Sequence, residues 1–518
     1  MKSKLLFILL LSTYGGLSVN AQITFQKTFG GSTPEAGQSV QQTTDGGYII
    51  AGNTYSFGAG MNDVYLIKTN ASGDTLWTKI LGGASDDQAQ LVEQTTDGGY
   101  IIVGYTHSFG AGNDDVYLLK TDGSGNVIWV RTYGGTDVDR GYSVKQTIDG
   151  GYIVAATTRS FGAGYEDIYL IKTNGSGDPL WTKTYGGTGA DYGYSIDLTA
   201  DSGYIISGTY GYSGSNTDAY LIKTNASGDT SWTKTYGGVY GEVAFYVQQT
   251  SDGGYILTGQ SSFSIASDVY LIKTNGVGDT LWTKTYGGTS YDRGVSVQQT
   301  TDGGYIFVGF GTVCSSCPMD VYLIRTNSVG DTLWTKFYGG TDEDLGISVK
   351  QTTDGGYIIG AWTQSFGAGA YDFYLIKTDA NGNSGCNQSA TATIVNAPPT
   401  QVSIPAATIS SGGTVTAPST IVGSGGIINT PCTNVGVDEI AGSNSMFIYP
   451  NPFSDELLIK RTNPNGTLII FDITGKEVMR HKTFYSETKI NTEKLVSGFY
   501  LLNYTDGNNT SNIKIVKF

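Results

Sequence analysis

Short hydrophobic runs rich in β-branched and aromatic residues alternate with glycine-rich polar turns along most of the chain. Examples are GYIIAG at residues 47–52 and VYLIKT at residues 64–69, and residues of these types favour strands. Between such runs, Asp-Gly-Gly at residues 45–47 supplies glycines that tolerate the positive φ of a tight hairpin. The 75 glycines and the low charged fraction of 14% also suit turns and strands better than long helices. The chain is therefore predicted to be all-β.

The pattern recurs with a fixed period. Its first marker is the Asp of the DGGYI-type turn, found at Asp45, Asp97, Asp149, Asp201, Asp252, Asp302 and Asp354. A second marker, DVYLIKT, stays in register with the first and begins at Asp63, Asp115, Asp167, Asp218, Asp268, Asp320 and Asp372. The repeat length is 50 to 52 residues, so the chain contains seven units of one supersecondary structure.

Each unit is predicted to form four antiparallel strands. In the first unit these are QSVQQT, GYIIAG, VYLIKT and TLWTK, joined by turns or loops. Four antiparallel strands repeated seven times are typical of a seven-bladed β-propeller. We therefore expect an all-β fold with seven four-stranded blades.

The seventh unit lacks a fourth strand, and the mature chain opens with one. Residues 23–29 (ITFQKTF) match the fourth-strand pattern, with Phe25 in the place of the repeated tryptophan. Pairing of the two chain ends would close the ring and leave no open blade edge. An open β-solenoid would instead need atypical caps and would have no use for a split unit. The repeated tryptophans are Trp77, Trp129, Trp181, Trp232, Trp282 and Trp334.

The start of the chain is typical of a secretory signal peptide. Lys2 and Lys4 precede the apolar run LLFILLL, and the small residues of SVNA suggest cleavage before Gln22. An N-terminal core strand is the alternative. The predicted organisation is a signal peptide at residues 1–21 and a propeller at residues 22–386. No other apolar run approaches membrane-spanning length, so no transmembrane segment is expected in the mature chain.

Composition changes twice after the propeller. Residues 387–446 are rich in Ser, Thr, Gly and Pro and are predicted to be a linker. Residues 447–518 regain strand patterns with glycine turns and are predicted to form a small β-sandwich. Its motifs YPNP, DITGKEV, LVSGFYLL and KIVKF resemble the type A C-terminal sorting domain of the type IX secretion system of Bacteroidota. An ordinary accessory β-domain is the alternative.

The resemblance implies a cellular location and a partner. It implies that the type IX secretion machinery carries the chain across the outer membrane of a Gram-negative bacterium, after which the domain is removed and the protein is released or attached to the surface. The repeated GDTLW phrase also resembles the blade signature of quinoprotein-like propellers, but its loop is shorter and no cofactor is expected from it. The formal net charge of −15 makes a nucleic acid an improbable partner, because phosphate binding needs basic surfaces.

The four cysteines suit an oxidising compartment. Their neighbourhood favours the pairs Cys314–Cys317 and Cys386–Cys432, although four cysteines allow three pairings. A redox centre or half of a zinc site are alternatives for the CxxC sequence. Zinc would need two further ligands, and the only histidines are His107 and His481.

One acidic residue stands four positions after the second Gly of each YGG-type sequence, just before each first strand. Such a ring of carboxylates could bind Ca²⁺ or a basic group, since carboxylate oxygens suit calcium. The alternative, favoured by the sevenfold recurrence, is that each acid caps backbone N–H groups of its own or the next blade. The seven residues are Glu35, Asp87, Asp139, Asp191, Glu242, Asp292 and Asp344.

The units differ most in the loops between second and third strands. SFGAG fills this loop in units one, two, three and seven, whereas units four to six carry other sequences. Aromatic residues gather near those loops, and with neighbouring carboxylates they could form a platform for a glycan. Unconstrained drift of the loops is the alternative. The candidate ligand-binding residues are Tyr192, Tyr212, Tyr240 and Tyr291.

These observations favour a secreted or cell-surface binding protein whose ligand is a glycan or another surface protein. A glycan-active hydrolase or lyase using carboxylates on the loop-rich face is the second hypothesis. A structural surface-layer component is the third. With only two histidines, His-based triads and His-ligated metal centres are improbable, so the sequence favours a non-enzymatic role and indicates no cofactor beyond the calcium considered above.

Overall fold

A computed structural model shows two compact units, residues 1–436 and residues 437–518. The predicted signal peptide lies outside the described residues. The described residues are 22–211, 217–238, 240–262, 267–288, 290–312, 314, 316–390, 393–396, 401–403, 408–410, 414–416, 421–423, 427–435, 446–449, 455–461, 466–472, 475–483, 487–505 and 510–517.

All regular secondary structure in the described part of the first unit is β. The 28 strands that carry the repeat are β1 (Ile23–Gly30), β2 (Glu35–Gln42), β3 (Tyr48–Thr54), β4 (Asp63–Thr69), β5 (Thr75–Gly82), β6 (Asp87–Gln94), β7 (Tyr100–Thr106), β8 (Asp115–Thr121), β9 (Val127–Gly134), β10 (Asp139–Gln146), β11 (Tyr152–Thr158), β12 (Asp167–Thr173), β13 (Pro179–Gly186), β14 (Tyr192–Leu198), β15 (Tyr204–Tyr210), β16 (Asp218–Thr224), β17 (Thr230–Gly237), β18 (Glu242–Gln249), β19 (Tyr255–Ser261), β20 (Asp268–Thr274), β21 (Thr280–Gly287), β22 (Arg293–Gln299), β23 (Tyr305–Gly311), β24 (Asp320–Thr326), β25 (Thr332–Tyr338), β26 (Asp344–Gln351), β27 (Tyr357–Thr363) and β28 (Asp372–Thr378).

These strands form seven antiparallel sheets. Sheets one to six each take four consecutive strands, from β2–β5 through β22–β25, and sheet seven takes β26, β27, β28 and β1. The middle strands β3 and β4 are buried along their whole length, whereas the outer strand β5 begins with exposed positions. This burial explains why the middle strands are almost continuously apolar, as strands covered on both faces are.

The N-terminal strand completes the last sheet, as the repeat pattern predicts. β1 pairs antiparallel with β28, with Phe25 opposite Lys377 and Phe29 opposite Phe373. Phe25 and Phe29 join a buried cluster that also contains Val40 of sheet one. Each first strand lies beside the next one, and β26 of sheet seven lies beside β2 of sheet one. Apolar contacts therefore connect the two ends of the repeat region.

The hydrophobic core is divided among the interfaces between adjacent sheets. In the cluster between sheets one and two, Ile49 and Leu66 pack with Ile102 and Leu119, and all four are fully buried. Burying a side chain of this kind stabilises the fold by about 1.5–3 kcal/mol. Trp77 packs at the border of the same cluster, edge-on to a tyrosine of sheet two. The repeated tryptophans thus bridge neighbouring sheets.

The region predicted to be a linker contains seven further short strands, which we call the belt. Each pairs antiparallel with the fourth, outermost strand of a different sheet, in reverse order from sheet six to sheet one and then to sheet seven. They are β29 (Gln388–Ser389, on β25), β30 (Ile394–Asn396, on β21), β31 (Gln401–Ser403, on β17), β32 (Thr408–Ser410, on β13), β33 (Thr414–Thr416, on β9), β34 (Ile421–Gly423, on β5) and β35 (Ile427–Val435, on β1). The belt covers part of every outer sheet edge, and composition alone did not reveal it.

The second unit is a small all-β domain with two antiparallel sheets. One contains β36, β37 and β40, and the other contains β39, β38, β41 and β42 in that order. Their buried residues share a single core that includes Leu457, Leu468 and Leu502. The strands are β36 (Met446–Tyr449), β37 (Glu456–Arg461), β38 (Gly466–Asp472), β39 (Glu477–Thr483), β40 (Glu487–Asn491), β41 (Gly498–Thr505) and β42 (Thr510–Lys517).

Candidate functional site

The seven acids selected from the repeat are buried at the starts of the first strands, with 0–1% of their surface exposed. Each accepts a hydrogen bond from the backbone N–H of the glycine four residues earlier, at 2.6 to 3.0 Å. An acceptor in this position holds the preceding loop in place. The donors are Gly31, Gly83, Gly135, Gly187, Gly238, Gly288 and Gly340.

A second carboxylate approaches each of these acids. Asp63 Oδ1 lies 1.8 Å, and Asp87 Oδ2 2.8 Å, from the point that a Cβ on Gly82 would occupy, so only glycine fits there. The same convergence occurs in all seven sheets, at Gly30, Gly82, Gly134, Gly186, Gly237, Gly287 and Gly339. Paired buried carboxylates disfavour ionisation of one another.

The pKa values reflect this environment. Burial, followed by the neighbouring carboxylate of Asp218, raises the pKa of Glu242 to about 7. Burial and the nearby Asp344 raise the pKa of Asp320 to about 7. Among the described residues, no group of three or more His, Cys, Asp or Glu side chains is arranged to hold a metal ion. The calcium site considered from the sequence stays a prediction, and the observed contacts of the ring are those of loop capping.

A cavity of about 590 Å³ lies where the β11–β12 loop meets the start of sheet four, and we call it the loop-face cavity. Tyr165 and Glu166 immediately precede β12, Tyr192 is the first residue of β14 and Tyr210 is the last residue of β15. Its lining is completed by Arg159, Thr188, Gly189, Ala190 and Gly211. Three tyrosines from three strand ends therefore surround one ion pair.

That ion pair has an ordered, asymmetric geometry. Arg159 Nε donates to Glu166 Oε1 at 2.5 Å. The Arg159 side chain is 49% exposed, whereas that of Glu166 is 8% exposed. Glu166 also hydrogen-bonds the Tyr192 hydroxyl, and burial together with this carboxylate raises the pKa of Tyr192. Tyr165 is 81% exposed, so its ring is available for stacking. The cavity thus offers aromatic faces beside charged hydrogen-bonding groups.

The four tyrosines selected from the sequence do not form one cluster in the described structure. Tyr192 lines the loop-face cavity. Tyr291 donates a hydrogen bond to Gln260 and stacks on Phe310, and Tyr240 is half exposed on the loop before β18. Neither of the last two lines the cavity. Tyr212 lies outside the described residues.

The sequence analysis did not single out Arg159, Tyr165, Glu166 or Tyr210. A signal was nevertheless present, because the third unit reads RSFGAGYED where the first unit reads YSFGAGMND. The changes lie on both sides of the shared SFGAG loop and supply the arginine, the tyrosine and the glutamate of the cavity. A comparison of units position by position would have found three of the four residues.

The cysteines fit an oxidised protein. Cys314 and Cys317 form a disulfide in the β23–β24 loop. Cys386 is also disulfide-bonded. The Cys432 side chain lies outside the described part of the structure, while its backbone in β35 pairs with Gln26 of β1. The Cys386–Cys432 pair stays a prediction.

Comparison with known proteins identifies the second unit. Residues 447–517 match the family of secretion system C-terminal sorting domains. The type IX sorting domain inferred from the sequence motifs is therefore confirmed, and the chain is exported to the cell surface or beyond it by a member of the Bacteroidota. A comparison with curated proteins gave no match. Among the described residues, no helix has the length and apolar character needed to cross a bilayer.

Several solved structures resemble the chain at low identity. One is the extracellular domain of a putative hybrid two-component system from B. thetaiotaomicron, at 10% identity and a TM-score of 0.41; the match covers 93% of this chain but only 56% of that one. Another is Sqt1 from Chaetomium thermophilum, at 8% identity and a TM-score of 0.39, covering 68% and 98% of the two chains. PorZ, a surface component of the type IX secretion system of Porphyromonas gingivalis, matches at 9% identity and a TM-score of 0.15, covering 95% and 100%. Because these TM-scores are low, none of the likenesses decides fold or function.

Proposed function

We propose that the chain is an exported binding protein whose seven sheets are the blades of a closed β-propeller at residues 22–386, and that its ligand is a glycan. The pairing of β1 with β28 and the position of β26 beside β2 support ring closure. The sorting domain supports action at the cell surface or outside the cell. Residues 387–446 connect the two domains and contribute the belt.

The loop-face cavity carries the glycan proposal. Pyranose rings present an apolar C–H face that stacks on aromatic side chains, and hydroxyl groups that hydrogen-bond to charged groups at the rim. Tyr165, Tyr192 and Tyr210 supply the aromatic surfaces, and the Arg159–Glu166 pair supplies a donor and an acceptor. A cavity of about 590 Å³ is within the range of small-ligand sites.

The geometry favours binding over glycan cleavage. Glycoside hydrolysis uses two carboxyl groups about 5–10 Å apart on either side of the scissile bond. Glu166 is the one carboxylate that lines the loop-face cavity as described, and it is paired with Arg159. The seven capping acids are buried, with 0–1% of their surface exposed, so they do not flank an open cleft.

A glycan array with the intact chain tests the proposal. Binding is read with and without calcium, and the same wells are read for released product. We expect binding without product. The variant Tyr165→Ala should weaken binding about tenfold, which corresponds to about 1.4 kcal/mol for a truncated aromatic anchor. Met61→Ala is the matched control, because Met61 holds the equivalent exposed position of sheet one.

Three outcomes would overturn the proposal. Released product would move the function to glycan cleavage. Undiminished binding by Tyr165→Ala would place the site elsewhere on the molecule. If no glycan binds while a surface protein does, the ligand is a protein and the glycan assignment is wrong.

A further inference from the structure

A second cavity of about 190 Å³ is lined by residues from the first strands of all seven sheets, and we call it the central cavity. The sevenfold repeat would line it with seven copies of the same side chains. At two layers of this lining the units carry different side chains instead. These departures give the cavity one aromatic side and one charged end.

The charged end is formed where a capping residue of the repeat is replaced. In sheets one, four, five and six, this position accepts a hydrogen bond from the backbone N–H of the following sheet; the residues are Gln41, Asp197, Gln248 and Gln298. In sheets two, three and seven the same position holds Glu93, Lys145 and Lys350. Three charged side chains thus stand where the repeat has a backbone cap.

Two of these groups have unused hydrogen-bonding capacity. Lys145 Nζ donates to Glu93 Oε1 at 3.0 Å, but Glu93 Oε2 is buried and accepts no hydrogen bond from any described residue. Lys350 Nζ donates to the Tyr246 hydroxyl at 2.8 Å, and its charge also acts on the buried carboxylate of Asp197. A buried acceptor without a hydrogen bond is costly unless a ligand satisfies it, and a half-buried ammonium with a single hydroxyl acceptor can take further acceptors.

The aromatic side comes from the layer above. Tyr142, Tyr194 and Phe245 follow one another on sheets three, four and five, with ring centroids 5.5 and 5.4 Å apart. The same layer of sheets one and two carries Gln38 and Gln90, whose amides can both donate and accept. The lining of the cavity therefore combines aromatic rings with side-chain amides.

We propose that the central cavity binds an acidic monosaccharide, a pyranose that carries a carboxylate, as a site separate from the loop-face cavity. The aromatic wall matches the C–H face of the ring at Tyr142 and Tyr194, since the Arg293 guanidinium already covers one face of Phe245, 3.9 Å from its centroid. Glu93 Oε2 and the two glutamines match its hydroxyls. The Lys350 ammonium, which donates to the Tyr246 hydroxyl, matches the carboxylate of the sugar, whereas a neutral sugar would offer it only hydroxyl acceptors. A simple carboxylate, in turn, would leave the aromatic wall and the Glu93 acceptor unused.

Titration of the intact chain with free D-glucuronate and with D-glucose, followed by calorimetry, tests this assignment. We expect glucuronate to bind at least about tenfold more tightly than glucose, because hydrogen bonds to charged groups are stronger than neutral ones. Lys350→Met should abolish that preference, and Lys350→Arg should keep much of it. Lys284→Met is the matched control, since Lys284 pairs with Asp331 outside the cavity.

Tyr165→Ala separates this site from the proposed glycan site, because Tyr165 lines only the loop-face cavity of the two. We expect it to leave glucuronate binding unchanged. Equal affinities for glucuronate and glucose, or no binding of either, would overturn the proposal. A preference that survives in a folded Lys350→Met variant would do the same, and a thermal unfolding scan of each variant establishes that it is folded. Loss of glucuronate binding in Tyr165→Ala would place the sugar in the loop-face cavity instead.

Discussion

The belt gives the most direct prediction, namely that a Cys386–Cys432 disulfide fastens its two ends. Cys386 lies two residues before the first belt strand, β29, and Cys432 lies within the last belt strand, β35. Gln26 connects both places, because its Nε2 donates to the Cys386 carbonyl at 2.6 Å and its Cα is paired with Cys432. The side chain of Gln26 is fully buried between these two places.

The perturbation is the double variant Cys386→Ser/Cys432→Ser. A disulfide that closes a loop of about 45 residues removes entropy from the unfolded chain equivalent to about 4 kcal/mol at 25 °C. The short Cys314–Cys317 loop, with a sequence separation of 3, is the matched control. The same relation assigns that loop about 2 kcal/mol. The belt variant should therefore lose about twice as much stability as Cys314→Ser/Cys317→Ser.

Thermal unfolding of the intact, oxidised chain provides the assay. Limited proteolysis, at a temperature well below the unfolding transition, is a second measurement. We expect the belt variant to unfold at a lower temperature and to be cleaved first within residues 387–435, because the short belt strands then have a free end. Peptide mapping of the wild type should find the two cysteines cross-linked. The reasoning is refuted if Cys432 maps as a free thiol, or if the belt variant unfolds with the wild type.

Two further predictions concern the sheets. Trp232→Ala should lower the free energy of unfolding by about 3 kcal/mol, since Trp232 packs edge-on to Tyr255 and is partly buried against the next sheet. The exposed control Leu281→Ala should change stability little. An unchanged unfolding temperature for Trp232→Ala would contradict the packing described. Stability should also fall as the pH rises through about 7, because burial raises the folded-state pKa of Glu242 and Asp292 to about 7. Their neutral forms contribute fully below the unfolded pKa near 4, and this contribution is lost as they ionise. Unfolding temperatures measured from pH 5 to 8 should show this decline, and Asp292→Asn should make it smaller. A rise in stability over the same pH range would contradict the prediction.

Much of the repeat architecture could be predicted because its signals are local. The apolar, β-branched and aromatic runs GYIIAG and VYLIKT set strand identity, and Gly46 has the positive φ of 82° that the Asp-Gly-Gly turn implies. The missing fourth strand of the seventh unit was equally visible, because the other six units each contain that strand at the same position. The observed pairing of Phe29 with Phe373 follows directly from it.

The candidate site was only partly predictable. Tyr192 was selected because the units differ near it, but Tyr165 and Glu166 come from the preceding unit, and only packing of sheet three against sheet four brings them together. Tyr240 and Tyr291 satisfied the same sequence criterion and lie elsewhere. Likewise, the capping acids were recognised by their position, while their partners across each glycine, such as Asp63 beside Asp87, depend on a contact between sheets.

The sequence by itself determined the strands, the turns, the number of units and the sorting domain, because each is encoded by residues within one repeat or one motif. Tertiary structure alone decided the belt and the two cavities. Belt strands such as Thr408–Ser410 are only three residues long and pair through backbone N–H and C=O groups. Those groups are the same in almost every residue and leave no pattern in the sequence. The cavities likewise depend on side chains from different repeats, which meet only when the sheets assemble.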